Sequence, residues 1–453
     1  CTDAPPGGKR CGQSWARRLH LEPLEALPLW AESFAFFEAK PAIVARRQKA
    51  VNCLLARKCA GTRLGGVRTV IPALQEAPSP ARRRLLLAGG AAALAGSGLW
   101  GCGSPAVPLP GAGRLRRIAE AHWPHRLNIQ GTTAGGLSGV DYNAERSEYL
   151  LLSDDRSDLS PARFYIASWP APWTEAPAPR DVVQLQRPGG GSWPDRRRAE
   201  PGTPVADPES LRLRPGAGTL LWVSEGDVLR GFGPSFYESA RDGRLLREFA
   251  LPAMFSPDPA RQRGPRDNLD FEGLAVTPDG RHAWLAMENA LIQDGPVPTT
   301  QAAGGPCRLT QVDLETGRAV RQIAYVPDPI PLRPLLPGGH ADNGISEILM
   351  LDNKRMLVLE RAYATGAGNS LRLYEIETRD ATDVLNTDVL ATGNHRPAPK
   401  TLVADFASLG LSRLDNTEGL CWGPALPDGK RMLVVVSDDN FNPLQTTQFA
   451  AFE

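Results

Sequence analysis

Five times between Gly135 and the C-terminus the chain repeats one unit. A turn bearing Gly or an acid opens an apolar strand, a second turn follows, and a second apolar strand ends on an acid. The copies are Gly-Leu-Ser-Gly-Val at 136–140 leading to Leu-Leu-Leu-Ser-Asp-Asp at 150–155, and Asp-Pro-Glu-Ser-Leu at 207–211 leading to Leu-Leu-Trp-Val-Ser-Glu at 220–225. Next come Asp-Phe-Glu-Gly-Leu-Ala-Val at 270–276 with Ala-Trp-Leu-Ala-Met-Glu-Asn at 283–289, and Gly-Ile-Ser-Glu-Ile at 344–348 with Met-Leu-Val-Leu-Glu-Arg at 356–361. The last is Asn-Thr-Glu-Gly-Leu at 416–420 with Leu-Val-Val-Val-Ser-Asp-Asp-Asn at 433–440. Strand–turn–strand units recurring at this interval predict an all-β propeller over residues 131–453, with five to six or more blades. A sixth blade could be assembled from the two ends of the domain or lie near 371–403. Gly 45 and Pro 42 agree with many turns between short strands.

The repeat also predicts a site. Equivalent blade positions lie at equivalent radius and height. Glu209, Glu272, Glu347 and Glu418 should therefore share one rim, and Asp154, Glu225, Glu288, Glu360 and Asp438 another. Carboxylates crowded at one axial mouth raise each other's pKa or require a counter-ion. A hard cation such as calcium, which takes about six to eight oxygen ligands, would relieve them. The acids could instead cap blade turns by accepting backbone N–H groups.

Upstream the composition changes. Residues 1–84 hold 15 Lys+Arg and 6 Asp+Glu, a net of +9; the remainder holds 36 and 44, a net of −8. A mildly acidic body does not suit nucleic acid. Arg82–Arg84 precede 17 uncharged residues, Leu85 to Gly101, and then Cys102. This is the charge–apolar–small order of an export signal, and the arginines resemble a twin-arginine signal. Leu99-Trp100-Gly101-Cys102 resembles a lipoprotein box, with Cys102 as a possible lipid anchor and Trp100 in place of the usual small residue. Residues 1–80 read as a leader or over-extended N-terminus absent from the mature protein, 81–102 as the signal, and 103–130 as a tether. The expected location is the bacterial envelope, periplasmic or lipid-anchored, as a monomer. Cys307 and Cys421 could form a disulfide or remain buried thiols.

At the five motifs the chain resembles the "esterase-like activity of phytase" family of exported phytase-like propellers. The carriers are Asp-Phe-Glu-Gly-Leu-Ala-Val-Thr-Pro-Asp-Gly at 270–280, Gly-Ile-Ser-Glu-Ile at 344–348, Asn-Thr-Glu-Gly-Leu at 416–420 and Val-Ser-Asp-Asp-Asn-Phe at 436–441. The resemblance implies hydrolysis of ester or phosphoester bonds in a small molecule. No Gly-x-Ser-x-Gly elbow, His-Glu-x-x-His or Gly-Lys-Ser/Thr loop is present, which disfavours serine hydrolases, zincins and P-loop enzymes. The expected metal ligands are Glu209, Glu272, Glu347, Glu418 and Asp154. Glu288, Asp438, Asp439, Arg361 and His340 are the candidates for catalysis. The competing reading is a non-catalytic envelope propeller that binds a ligand or partner and whose acids are structural.

Overall fold

The computed structural model describes residues 115–453. The leader, the signal, Cys102 and the first part of the tether lie outside the described residues. Among those described, no helix is long and apolar enough to cross a membrane.

The fold is a five-bladed β-propeller of four-stranded antiparallel sheets. From the axis outwards, blade 1 comprises Leu137–Asn143, Glu148–Ser153, Arg163–Ser168 and Ala178–Gln184. Blade 2 comprises Pro208–Leu213, Leu220–Ser224, Ser235–Ser239 and Leu245–Glu248. Blade 3 comprises Phe271–Val276, His282–Met287, Cys307–Asp313 and Arg318–Tyr325. Blade 4 comprises Ala341–Met350, Arg355–Ala364, Gly368–Glu377 and Lys400–Asp405. Blade 5 comprises Asn416–Ala425, Arg431–Asp438 and Gln448–Phe452, and takes its outermost strand, Arg117–His122, from the other end of the domain.

The second strands read as continuous apolar runs because each blade is covered on both faces by its neighbours. Five hydrophobic clusters occupy the five seams. Tyr149, Val434 and Phe449 fill the seam between blades 5 and 1, and Trp222 and Phe164 that between 1 and 2. Phe236 and Leu285 fill the next, then Trp284 and Val358, then Leu359 and Leu433.

Two expectations are corrected. The tether is shorter than residues 103–130, because Arg117–His122 pairs with Gln448–Phe452 (Arg117 opposite Phe452, His122 opposite Gln448). That pairing closes the ring and supplies the fourth, outermost strand of blade 5. The two ends of the domain thus complete a fifth blade instead of making a sixth, and residues near 371–403 belong to the outer half of blade 4. Cys307 and Cys421 are buried free thiols in different seams, so no disulfide joins them.

Candidate functional site

Every innermost strand carries a β-bulge near its start. The pairing register shifts between Leu137 and Gly139, Pro208 and Leu211, Phe271 and Gly273, Ile345 and Glu347, and Thr417 and Gly419. A bulge leaves one residue unpaired and re-aims its side chain. The bulged residues are Ser138, Glu209 (with Ser210), Glu272, Ser346 and Glu418. The position after the bulge is glycine in blades 1, 3 and 5, because neighbouring innermost strands come close there. A Cβ on Gly273 would lie 3.1 Å from the Ile348 nitrogen, and one on Gly419 would lie 2.9 Å from a Val140 methyl. Beside the bulges, the equivalent positions at or just past the second strands hold Asp154, Glu225, Glu288 and Asp438, and in blade 4 Arg361 within its longer strand.

Blade 4 is out of step with its apparent sequence match by one residue, and in a strand one residue reverses the side chain's face. Its bulge falls on Ser346, so Glu347 takes the position that is glycine in blades 1, 3 and 5. Ile345 pairs with Glu360, so Arg361 takes the position of the acid in the other blades. Glu347 and Glu360 are therefore corrected out of the two rims. Glu347 turns into the axial channel, where it accepts from Ser210 Oγ (2.6 Å), Leu274 N (2.9 Å) and Ile348 N (2.8 Å) and pairs with Arg212 (2.8 Å). Glu360 turns away and accepts from Tyr325 Oη at 2.6 Å and from Lys400.

What remains at the mouth is a set of carboxylates with one arginine in their ring. Asp154, Glu418 and Asp438 offer oxygens within 4.8 Å of one another, as do Asp207, Glu209 and Glu225, and Glu225, Glu272 and Glu288. The last two groups share Glu225. Asp154, Asp207, Glu209, Glu272, Glu418 and Asp438 line a cavity of about 1110 Å³, with Glu225 and Glu288 buried behind them. Burial, reinforced by the neighbouring carboxylates, pushes Asp154, Glu209, Glu225, Glu272 and Asp438 well above the usual carboxylate range. Burial lifts Asp207 to about 6 and Glu288 to about 7, although Arg156 and Arg361, respectively, oppose the shift. Arg361 touches Glu288 (3.3 Å), Glu418 (3.6 Å) and Asp342 (3.6 Å). Its burial would lower its pKa, but these carboxylates outweigh that and hold it above the usual value.

Turn capping and rim position fall on different acids. Asp439 accepts from Gly136 N and Phe441 N and faces His125, and Asp155 accepts from the nitrogens of Asp158, Leu159 and Ser160. Asp415 accepts from Asn416 N and Thr446 N. By contrast Asp154, Glu209 and Glu272 accept from no N–H or hydroxyl donor among the described residues. Next to Glu225, the carboxyl of Asp270 is fully buried with neither oxygen partnered.

A family profile described as "Phytase-like: Esterase-like activity of phytase" matches residues 132–441, from just before blade 1 to the loop after the last rim acid. The chain belongs to the phytase-like family. A relative from Arthroderma benhamiae described as an "Uncharacterized secreted protein" is 29% identical over 98 residues, spanning 17% of this chain and only 18% of its own length. Solved structures align loosely. Kuenenia stuttgartiensis hydrazine synthase has a TM-score of 0.29 at 12% identity, covering 70% of this chain and 61% of that one. The Dos1 propeller (0.30, 6%) covers 70% and 68%, and U3-55K (0.31, 9%) covers 75% and 98%.

Of the residues predicted from sequence, this phytase-like propeller brings Glu209, Glu272, Glu418, Asp154, Glu288, Asp438 and Arg361 together at the mouth. Glu347 lies deeper, and Asp439 is a structural cap. His340 is exposed and bonded through Nε2 to Asp342 (2.6 Å), which itself lines the cavity. Sequence reasoning passed over Asp207 and Asp342. Asp207 opens the Asp-Pro-Glu motif of blade 2 and could have been read from it. Asp342 precedes its blade motif by two residues and carries no comparable signal.

Proposed function

We propose that the mouth binds a divalent cation, calcium, and hydrolyses a phosphate ester or related ester there. The observation that carries this is the pairing of buried, donor-poor carboxylates from different blades with membership of the phytase-like family. The residues fit the group. The donors are all carboxylate oxygens, without His or Cys, which suits a hard cation more than zinc. Such an ion would also compensate buried acids that no protein donor serves. Asp154, Glu418 and Asp438 would hold it on one side, and Asp207, Glu209, Glu225 and Glu272 on the other, leaving Glu288 unligated. When bound, calcium supplies a Lewis acid that polarises the ester and lowers the pKa of water.

The chain's own residues do the rest. Arg361, which lines the cavity beside Glu288 and Glu418, would bind an anionic substrate oxygen. Glu288, raised to about 7, can accept a proton from attacking water near neutral pH and return it to the departing alcohol. Glu272→Gln and Glu418→Gln keep size and remove charge. Each is expected to weaken calcium binding at least tenfold in calorimetry and to lower phosphoesterase turnover in parallel. Equal calcium binding in parent and variants would refute these ligand roles. Chelator-induced loss of stability in a protein with no measurable turnover would favour a non-catalytic binding propeller.

We also propose export. The signal-like run before Cys102 supports it, as does the described secretion of the fungal relative. The mature form is expected to begin near Cys102, periplasmic or anchored through that residue. Intact mass of the exported protein checks this, and retention of residues 1–80 would contradict it.

A further inference from the structure

We propose that the substrate carries a single anionic ester group on an apolar alcohol, aryl or alkyl, and that polyphosphorylated polyols are disfavoured. This rests on the reading above and names the substrate class of the same mouth. Two features of the cavity lining carry it.

The first is charge. Ten carboxylates and five arginines line the cavity, a formal balance of −5 when a bound cation keeps the acids ionised. Four of the five arginines are already paired with acids, and Arg126 is exposed with no ion pair among the described residues. Arg156 pairs with Asp207 (2.5 Å), Arg197 with Asp158 (3.0 Å), Arg413 with Asp415 (3.1 Å), and Arg361 with Glu288. One or two divalent ions leave the mouth still negative, so a phosphate is held only by direct contact with an ion, and each further phosphate adds repulsion.

The second is an apolar wall. Phe441 and Leu444 from blade 5, Leu414 just before it, Tyr363 from blade 4 and Leu159 from the loop between the second and third strands of blade 1 line the same cavity. Leu444 is 74% exposed and Leu159 41%, so they offer apolar surface that no part of the described chain covers. Asn440 and Phe441 are both left-handed, at φ 48° and 49°, an uncommon backbone for non-glycine residues that fixes the phenyl ring beside Gly135 and Gly136. A polar polyol would leave this wall wet, whereas an aryl or alkyl group would cover it.

In hydrolysis of such a monoester, water adds to phosphorus, the P–O bond to the alcohol breaks, and the alcohol leaves with one proton, giving inorganic phosphate. The test compares phenyl phosphate, glycerol phosphate and inositol hexakisphosphate with the full protein in calcium. Phenyl phosphate is expected to lead glycerol phosphate by about tenfold in kcat/KM, with inositol hexakisphosphate lowest, and Leu444→Ser to shrink the phenyl preference through KM. In parallel, calorimetry with calcium compares phenylphosphonate with methylphosphonate, which need no turnover. Tighter phenylphosphonate binding without hydrolysis of any ester would overturn the hydrolase reading and keep the apolar subsite. Turnover with equal or better use of inositol hexakisphosphate, or a phenyl preference untouched by Leu444→Ser, would overturn the substrate class and keep the hydrolase. Neither turnover nor phosphonate binding would remove both.

Discussion

Replacing Arg212 by Ala is expected to destabilise the propeller by about 3–5 kcal/mol, more than any single change at the mouth. Arg212 is buried on the axis. It donates to the carbonyls of Val140 (3.0 Å), Leu211 (2.7 Å), Ile348 (3.1 Å) and Leu420 (2.9 Å), from blades 1, 2, 4 and 5. These four lie two residues past the bulge in their blades. The equivalent residue of blade 3, Leu274, gives its N–H to Glu347, the ion-pair partner of Arg212. The Arg212–Glu347 pair thus joins all five blades at one level, about 7 Å along the strand from the rim at the usual rise per residue. It also closes the channel beneath the mouth.

Truncating Arg212 would leave Glu347 charged or protonated without its counter-ion and strip three inter-blade carbonyls of a donor. Glu347→Gln should cost less, since an amide oxygen can still accept from Ser210 and Leu274 N. Arg212→Met with Glu347→Leu removes both charges and fills the volume, and should recover much of the loss. Denaturant unfolding followed by fluorescence of buried Trp222 and Trp284 measures all three. A cost below about 1 kcal/mol for Arg212→Ala would show that the seams alone hold the ring.

Why the mouth was readable from sequence and the plug was not comes down to register. In blades 1, 2 and 3 the bulge position and the rim acid are each 16 residues apart, and in blade 5 they are 20 apart, with turn length absorbing the difference. In blade 4, Glu347 to Glu360 is 13 residues, and both sit one position from the places their motif suggests. Ser346 and Arg361, 15 apart, are the true equivalents. A bulge adds a residue without any composition signal of its own, so the slip becomes visible only when the ladder is paired. Arg212 was hidden differently. In Leu-Arg-Leu on an innermost strand it reads as an ordinary outward-facing polar residue of an alternating pattern. The closing strand Arg117–His122 was likewise hidden, because its partner lies over 300 residues away at the other end of the domain.

The pH dependence of stability should be reversed by calcium. Without divalent ions, the unfolding midpoint is expected to rise as pH falls from 8 towards 5. The rim carboxyls start from ordinary values of 3.8 and 4.5, and burial lifts Asp207 to about 6 and Glu288 to about 7. A group whose folded pKa is raised binds more protons folded than unfolded in the window between the two values. Stability therefore falls as pH rises through that window. Glu288 alone corresponds to about 3 kcal/mol across it, or about 4 °C for a chain of this size. Asp154, Glu209, Glu225, Glu272 and Asp438, also raised by burial and their neighbours, add to the loss in the same direction. Arg361 and Arg156 stay charged throughout and only moderate the repulsion. Calcium competes with protons for the same oxygens, so at pH 8 and about a hundredfold over its Kd it should add about 2.7 kcal/mol, roughly another 4 °C. At pH 5 the same concentration should add little. Scanning calorimetry across pH with chelator or calcium measures both slopes, and Glu272→Gln should flatten each. A midpoint that falls on acidification in chelator, or that ignores calcium at pH 8, would mean that the rim carboxylates neither repel one another nor share an ion.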